Sequence, residues 1–240
     1  MPVTTVFFDL DGTLLPMDQE VFIQSYFKRL AAKLAPSGYE PQKLFEAIWA
    51  GMRAMISNDG SCTNEKRFWD SFCGMLGERV LEDKPVFESF YRTDFQQVSK
   101  DCRFSPKAAQ IIALCHALGL RTVLATNPVF PAIATESRIR WAGLEPTDFE
   151  LVTTYENARY CKPNPAYYEE ILQKLQLSPQ ECLMVGNDAE EDLIAGTLGM
   201  RVFLLTDCLI NRKNKDLTNC PQGGFNELAA YLQECKRTGA

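Results

Sequence analysis

The spacing of apolar positions changes character twice along the chain. Val6-Phe7-Phe8-Asp9-Leu10 is a short run rich in strand formers that meets a turn signal at Asp11-Gly12. It predicts a buried strand with its polar residues at the C-terminal end. From about residue 17 to about residue 98 the pattern is helical. Phe22, Tyr26, Leu30 and Leu34 recur every four residues, and Pro36-Ser37-Gly38 stops that helix. Phe45, Ile48, Trp49, Met52 and Met55 resume the spacing, followed by Phe68, Phe72 and Met75, then by Phe87, Phe90 and Tyr91. Four helical segments with aromatic faces predict a small bundle.

After residue 100 strands and helices alternate. Ser105-Pro106 opens a helix as N-cap and first-turn proline, running to about Leu118 before Gly119. A strand is predicted at 121–125, a helix over about 130–142, a strand at 149–153, and a helix from Asn164-Pro165 to about Leu175. Ser178-Pro179-Gln180-Glu181 has capping-box spacing for one short turn. A strand at 182–185, a helix at 190–198 and a last strand at 201–205 follow, then a loop over 207–224 and a closing helix capped by Asn226. This alternation predicts an α/β fold: a doubly wound, mostly parallel sheet covered on both faces. The bundle interrupts it after the first strand, so the expected domains are a core of 1–16 and 99–240 and an inserted helical unit of 17–98. In such sheets sites form outside the carboxyl ends of the strands, so each chemical motif should follow a strand.

Composition narrows the function. With 46% hydrophobic and 23% charged residues, a chain of 240 residues can build a sizeable core without disulfides or metals. No apolar run of about 20 residues is present, which argues against a membrane span. The opening Met1-Pro2-Val3-Thr4-Thr5 has no basic stretch before its apolar run, so no signal peptide is expected. Lys and Arg number 25 against 31 Asp and Glu, a formal charge of −6, and no basic stripe appears, so neither nucleic acid nor an anionic membrane is an expected partner. Nine cysteines, an odd number without a C-x-x-C pair, point to a reducing cytoplasm; Cys115 and Cys182 sit in apolar runs.

The chemistry concentrates in Asp9-Leu10-Asp11-Gly12-Thr13. Two carboxylates spaced i, i+2 at a strand end face one crevice only if the chain turns between them, which Gly12 permits. One can then serve as nucleophile and metal ligand and the other as general acid. The bland alternative is an Asp-Gly turn with solvated acids. Chance produces such a pentapeptide in roughly one chain of this length in several hundred, given average residue usage.

This pentapeptide resembles the signature of the haloacid dehalogenase-like hydrolase superfamily, and three further motifs follow in the family's order over nearly the whole chain. The resemblance implies that Asp9 is the nucleophile and Asp11 the acid/base. Members that cleave carbon–halogen bonds usually lack the second Asp, so its presence favours a phosphate ester. Val123-Leu124-Ala125-Thr126-Asn127 looks like the second motif, with Thr126 and Asn127 on phosphoryl oxygens and backbone N–H groups of a helix start adding donors. Lys162-Pro163-Asn164-Pro165 is similar to the third, in which the lysine offsets nucleophile and phosphate. Gly186-Asn187-Asp188-Ala189-Glu190-Glu191-Asp192 resembles the fourth but carries Asn187 where Asp is usual, leaving either Asn187 or Asp188 as ligand beside Asp192. The implied cofactor is Mg²⁺, on Asp9, Asp11, Asn187, Asp188 and Asp192, and the implied partner is a small phosphorylated metabolite. Glu190 and Glu191 read as acids that complement a helix start. His116, the only histidine, reads as structural, which argues against a Ser-His-Asp triad. Met17, Phe22 and Trp49 are candidates to face the crevice from the inserted helices. A phosphoacceptor receiver module, a silent phosphate-binding relative and a phosphotransferase are the alternatives.

Overall fold

A computed structural model describes residues 2–237; Met1 and residues 238–240, which the expected core includes, lie outside it. Six parallel strands form one sheet: β1 (Thr5–Phe8), β2 (Arg121–Leu124), β3 (Leu151–Val152), β4 (Cys182–Gly186), β5 (Arg201–Leu205) and β6 (Gln222–Gly223), in the order β3-β2-β1-β4-β5-β6. Strands are added outward on one side of β1, then on the other, so the winding reverses at β1. That reversal is where a ligand crevice opens in sheets of this kind.

Alternation along the strands assigns the two faces. Val6 and Phe8, with Leu124, Val185 and Phe203, pack against α5 (Pro106–Ala117), α6 (Ala132–Trp141) and α8 (Phe225–Arg237). Phe7, Val123 and Met184 point the other way, onto Tyr167, Tyr168 and Ile171 of α7 (Pro165–Leu175). Cys115 and Cys182 are both fully buried among these apolar neighbours. The helical segments between β1 and α5 are α1 (Gln19–Leu34), α2 (Pro41–Ile56), α3 (Asn64–Leu76) and α4 (Lys84–Arg92). Their aromatic faces converge: Tyr26 meets Phe90 and Phe95 edge-on, and Phe72 meets Phe87 in the same way. Phe22 and Tyr26 also pack on Phe130, which ties this layer to the sheet domain.

Several local expectations change. Residues 190–198 form no α-helix; the chain makes a turn and then a 3-10 helix, Leu193–Leu198. The side chain of Asp188 accepts from the N–H groups of Glu190 and Glu191 at 2.7 and 3.1 Å, which satisfies the turn without helical pairing. Gln222 and Gly223, within the expected loop, add β6 at the sheet edge. The closing helix begins before Asn226; Glu227 accepts from the Gly224 N–H at 3.0 Å and fills the capping role. Ser178 makes no side-chain cap, because its carbonyl takes the Glu181 N–H at 3.1 Å. Phe45 and Met75 keep helical spacing yet stand exposed on the outer edges of their helices.

Candidate active site

Strand register explains why distant residues meet. Phe8 pairs with Leu124 on one side and Val185 on the other. The residues immediately beyond, Asp9, Ala125-Thr126 and Gly186-Asn187, therefore lie along one edge of the sheet. Asp9 still belongs to the ladder through its N–H, which donates to the Val185 carbonyl at 2.9 Å. The chain then turns: the Leu15 N–H returns to the Leu10 carbonyl at 2.8 Å, with Gly12 at φ +87°. A Cβ on Gly12 would lie 2.3 Å from Asn187 Nδ2, so glycine serves both the turn and the close approach of the fourth motif.

At the centre sits Lys162, fully buried, donating to Asp9 Oδ1 at 3.0 Å and to Asp192 Oδ1 at 2.7 Å. Asn164 caps α7 by accepting from the Ala166 N–H at 3.0 Å, and this holds the Lys162-Pro163-Asn164 segment against the sheet edge. The other Asp192 oxygen accepts from the N–H groups of Asn187 and Asp188, each at 3.0 Å. A Cβ on Gly186 would lie 2.0 Å from that oxygen, so only glycine admits the carboxylate there. Thr13 donates to Asp9 Oδ2 at 3.2 Å and to Asn187 Oδ1 at 2.8 Å. Asp9, Asp11, Thr126, Asn127, Asn187, Asp188 and Asp192 line one cavity of about 240 Å³, and the Lys162 ammonium lies behind Asp9.

Electrostatics in this cavity are short of positive charge. Burial pushes the Asp9 carboxyl up to about 7 against the pull of Lys162, with Asp192 and Asp11 adding to the rise. Burial alone would pull the Lys162 ammonium down, but Asp192 and Asp9 outweigh it and hold it well above its ordinary value. Glu191 also lines the cavity, and burial together with Asp192, Asp9 and Asp188 pushes it up to about 8 despite Lys162.

Two site residues escaped the sequence reading. Glu191 reads as a helix-start acid, yet it faces the cavity and accepts from Asn127 Nδ2 at 3.1 Å. The adjacent acids of the fourth motif gave a signal, but the neighbour that turns inward cannot be read without the turn. Arg138 is the other. It is fully buried, donates to Asp11 Oδ2 and to Thr135 Oγ1, and stacks on the Phe130 ring at 4.4 Å. No motif announces it. At the start of α6, which begins at Ala132, the first N–H is taken by Glu156 at 2.9 and 3.0 Å.

The donor set is made of hard oxygens, the kind magnesium prefers. Asp11 Oδ1 is buried without a partner, and two acids are held far above their ordinary range, both signs of room for a cation. Among the described residues, however, no three His, Cys, Asp or Glu side chains are gathered closely enough to hold an ion by themselves. Backbone and amide oxygens would have to complete the shell.

Comparison with known proteins decides the family. The sequence pattern of haloacid dehalogenase-like hydrolases matches residues 3–198. The chain belongs to that family. Haloacid dehalogenase-like hydrolase domain-containing protein 3 of Danio rerio is 26% identical, with 97% of this chain and 98% of that protein aligned. Pyrophosphatase PpaX of Anoxybacillus flavithermus is 26% identical over 82% of this chain and 80% of its own. The 2-haloacid dehalogenase of Pseudomonas syringae pv. Tomato shares the fold at a TM-score of 0.64 and 19% identity, covering 99% of this chain and 100% of its own. The family assignment makes the protein a hydrolase with an α/β core and agrees with the motif order along the chain.

Proposed function

We propose that this hydrolase is a phosphatase that cleaves a small phosphate monoester through an aspartyl-phosphate on Asp9. The observation that carries the reading is the buried Lys162 ammonium shared by Asp9 and Asp192 beneath a cavity that also exposes Asp11. A second acid beside the nucleophile suits an ester whose leaving oxygen needs a proton, and the pyrophosphatase relative acts on a phosphorus centre by its name.

Asp9 attacks phosphorus and the ester P–O bond breaks. The leaving alkoxide takes a proton from Asp11, whose Oδ1 has no other partner while Oδ2 is held by Arg138. Water then gives a proton to Asp11 and attacks phosphorus, releasing inorganic phosphate and restoring Asp9. The Thr126–Asn127 segment faces the equatorial oxygens, and Lys162 offsets the charge of Asp9 from behind it. Magnesium would be held by Asp9, the backbone carbonyl of Asp11 and the Asn187–Asp188 turn, with Asp192 and Glu191 beside it; when bound it supplies positive charge opposite the transferring group. Residues 17–98 act as a cap that excludes water and selects the alcohol, in a cytoplasmic enzyme.

Turnover of 4-nitrophenyl phosphate with Mg²⁺ tests this. Asp9→Asn should abolish it and EDTA should abolish it reversibly; hydrolysis that survives either change refutes the mechanism. The scarcity of gathered acids favours a second reading, a silent phosphate-binding relative. A folded protein that binds phosphate yet turns over no ester would establish it.

A further inference from the structure

The wall of the catalytic cavity that faces Asp9 is apolar. The inserted helices contribute Phe22, Ile23, Phe27, Trp49, Met52 and Ile56, with Phe27 stacked on Trp49 at 5.7 Å. The Tyr26 hydroxyl is spent on Tyr91 at 3.0 Å, and Gln19 and the Trp49 indole N–H are the other polar groups on this wall among the described residues. No Lys or Arg lines the cavity among the described residues. Lys84 and Arg92 line a neighbouring cavity of about 480 Å³ that shares only Tyr26, Met52, Val129 and Phe130 with the first. Arg103 and Arg212 line an outer cleft of about 650 Å³ that shares Met17, Gln19 and Asn187 with the first. Arg212 does not line the cavity itself and is already engaged, at 3.5 Å from the Asp188 carboxylate and donating to the Gln19 side-chain oxygen at 3.4 Å. The opposite wall presents the acids Asp9, Asp11, Asp188 and Glu191, none of which can pair with an anion.

We infer that the alcohol half of the substrate is small, apolar and uncharged: an aliphatic or aromatic alcohol phosphate carrying no second anionic group. The inference rests on the phosphatase reading above and names its substrate class. A carboxylate or second phosphate on the leaving group would lie against aromatic rings without a counter-charge, and an uncompensated buried charge is among the costliest placements a site can make. Apolar alcohols meet matched surface instead. Size points the same way, since about 240 Å³ falls below the roughly 300–1,000 Å³ of pockets that take drug-sized ligands. The pyrophosphatase relatives, whose name implies an anionic leaving group, would then differ from this chain in the composition of this wall.

Benzyl phosphate and 4-carboxybenzyl phosphate have similar leaving groups and differ by one charge, so their kcat/KM ratio with Mg²⁺ isolates the wall. The expected preference for benzyl phosphate is at least about tenfold, with pyrophosphate and phosphoglycolate as poor as the carboxylated ester. Ile56→Lys, on a half-exposed side chain at the cavity rim, should move the ratio toward the carboxylated ester, and Ile23→Lys is the second variant. Equal or better turnover of the charged esters, or a ratio that neither lysine moves in folded protein, overturns the inference. If no ester is turned over, the hydrolytic reading falls and calorimetry decides this one. Benzylphosphonate must then bind more tightly than phosphonoacetate, and the reverse order overturns it.

Discussion

Replacing Lys162 with Met removes the cation shared by Asp9 and Asp192 while keeping most of the apolar stem. The ammonium is fully buried and bonded at 3.0 and 2.7 Å to carboxylates that are 8% and 1% exposed. Breaking one partner out of a buried ion pair costs about 3–5 kcal/mol, because the remaining charges stay desolvated. For a chain of this size each kcal/mol moves the melting temperature about 2–4 °C, so a fall of about 6–20 °C is expected. Urea unfolding at neutral pH, in EDTA, measures the free-energy loss, and thermal unfolding in the same buffer measures the shift. The double variant Lys162→Met, Asp192→Asn should recover more than half of the loss, since an amide oxygen still accepts from the Asn187 and Asp188 N–H groups while one uncompensated charge disappears. The loss should also shrink at acid pH, where Asp9, already held at about 7, takes up a proton. A loss under about 1 kcal/mol, the value of a solvated surface pair, would show that the lysine is not buried between the acids. So would a double variant no more stable than the single one.

Two further outcomes follow from the same geometry. Asp9 and Glu191 sit at about 7 and 8, above their ordinary 3.8 and 4.5, so the folded state binds more protons than the unfolded one between these limits. Their contribution is full below about pH 4 and is lost as pH rises through 7 and then 8. The melting temperature in EDTA should therefore fall across that range, and Glu191→Gln should flatten its upper part; an unaltered slope in that variant contradicts the assignment. Gly12→Ala should cost about 1–3 kcal/mol, since it strains a residue at φ +87° and drives a Cβ to 2.3 Å from Asn187. An unchanged urea midpoint would mean that the turn relaxes freely.

Much of the fold is legible because it depends on local periodicity. The continuous apolar run Val6, Phe7 and Phe8, buried on both faces of the sheet, and the four-residue spacing of Phe22, Tyr26, Leu30 and Leu34 are properties of single elements that survive into the folded chain. Failures cluster where a side chain competes with the backbone. Asp188 holds a turn at the start of the helix expected over 190–198, and Glu227 takes the capping role expected of Asn226. Both choices depend on which polar group reaches an N–H first, which spacing does not encode.

The candidate site divides along the same line. Residue identities and motif order alone place Asp9, Asp11, Thr126 and the 187–192 acids at strand ends, since each lies close after an apolar run long enough to be a strand, whereas Lys162 stands ten residues beyond β3 and is singled out by motif order alone. Only the packed structure decides which of two adjacent acids faces the cavity. It turns the Asp192 carboxylate toward Lys162 and two backbone N–H groups and Glu191 toward the cavity, through contacts between residues 30 positions apart in the chain. It alone brings Arg138 to Asp11 across 127 positions and sets an uncharged aromatic wall opposite the nucleophile. Periodicity reports whether a side chain is buried; the partner it is buried against is a property of three-dimensional neighbours.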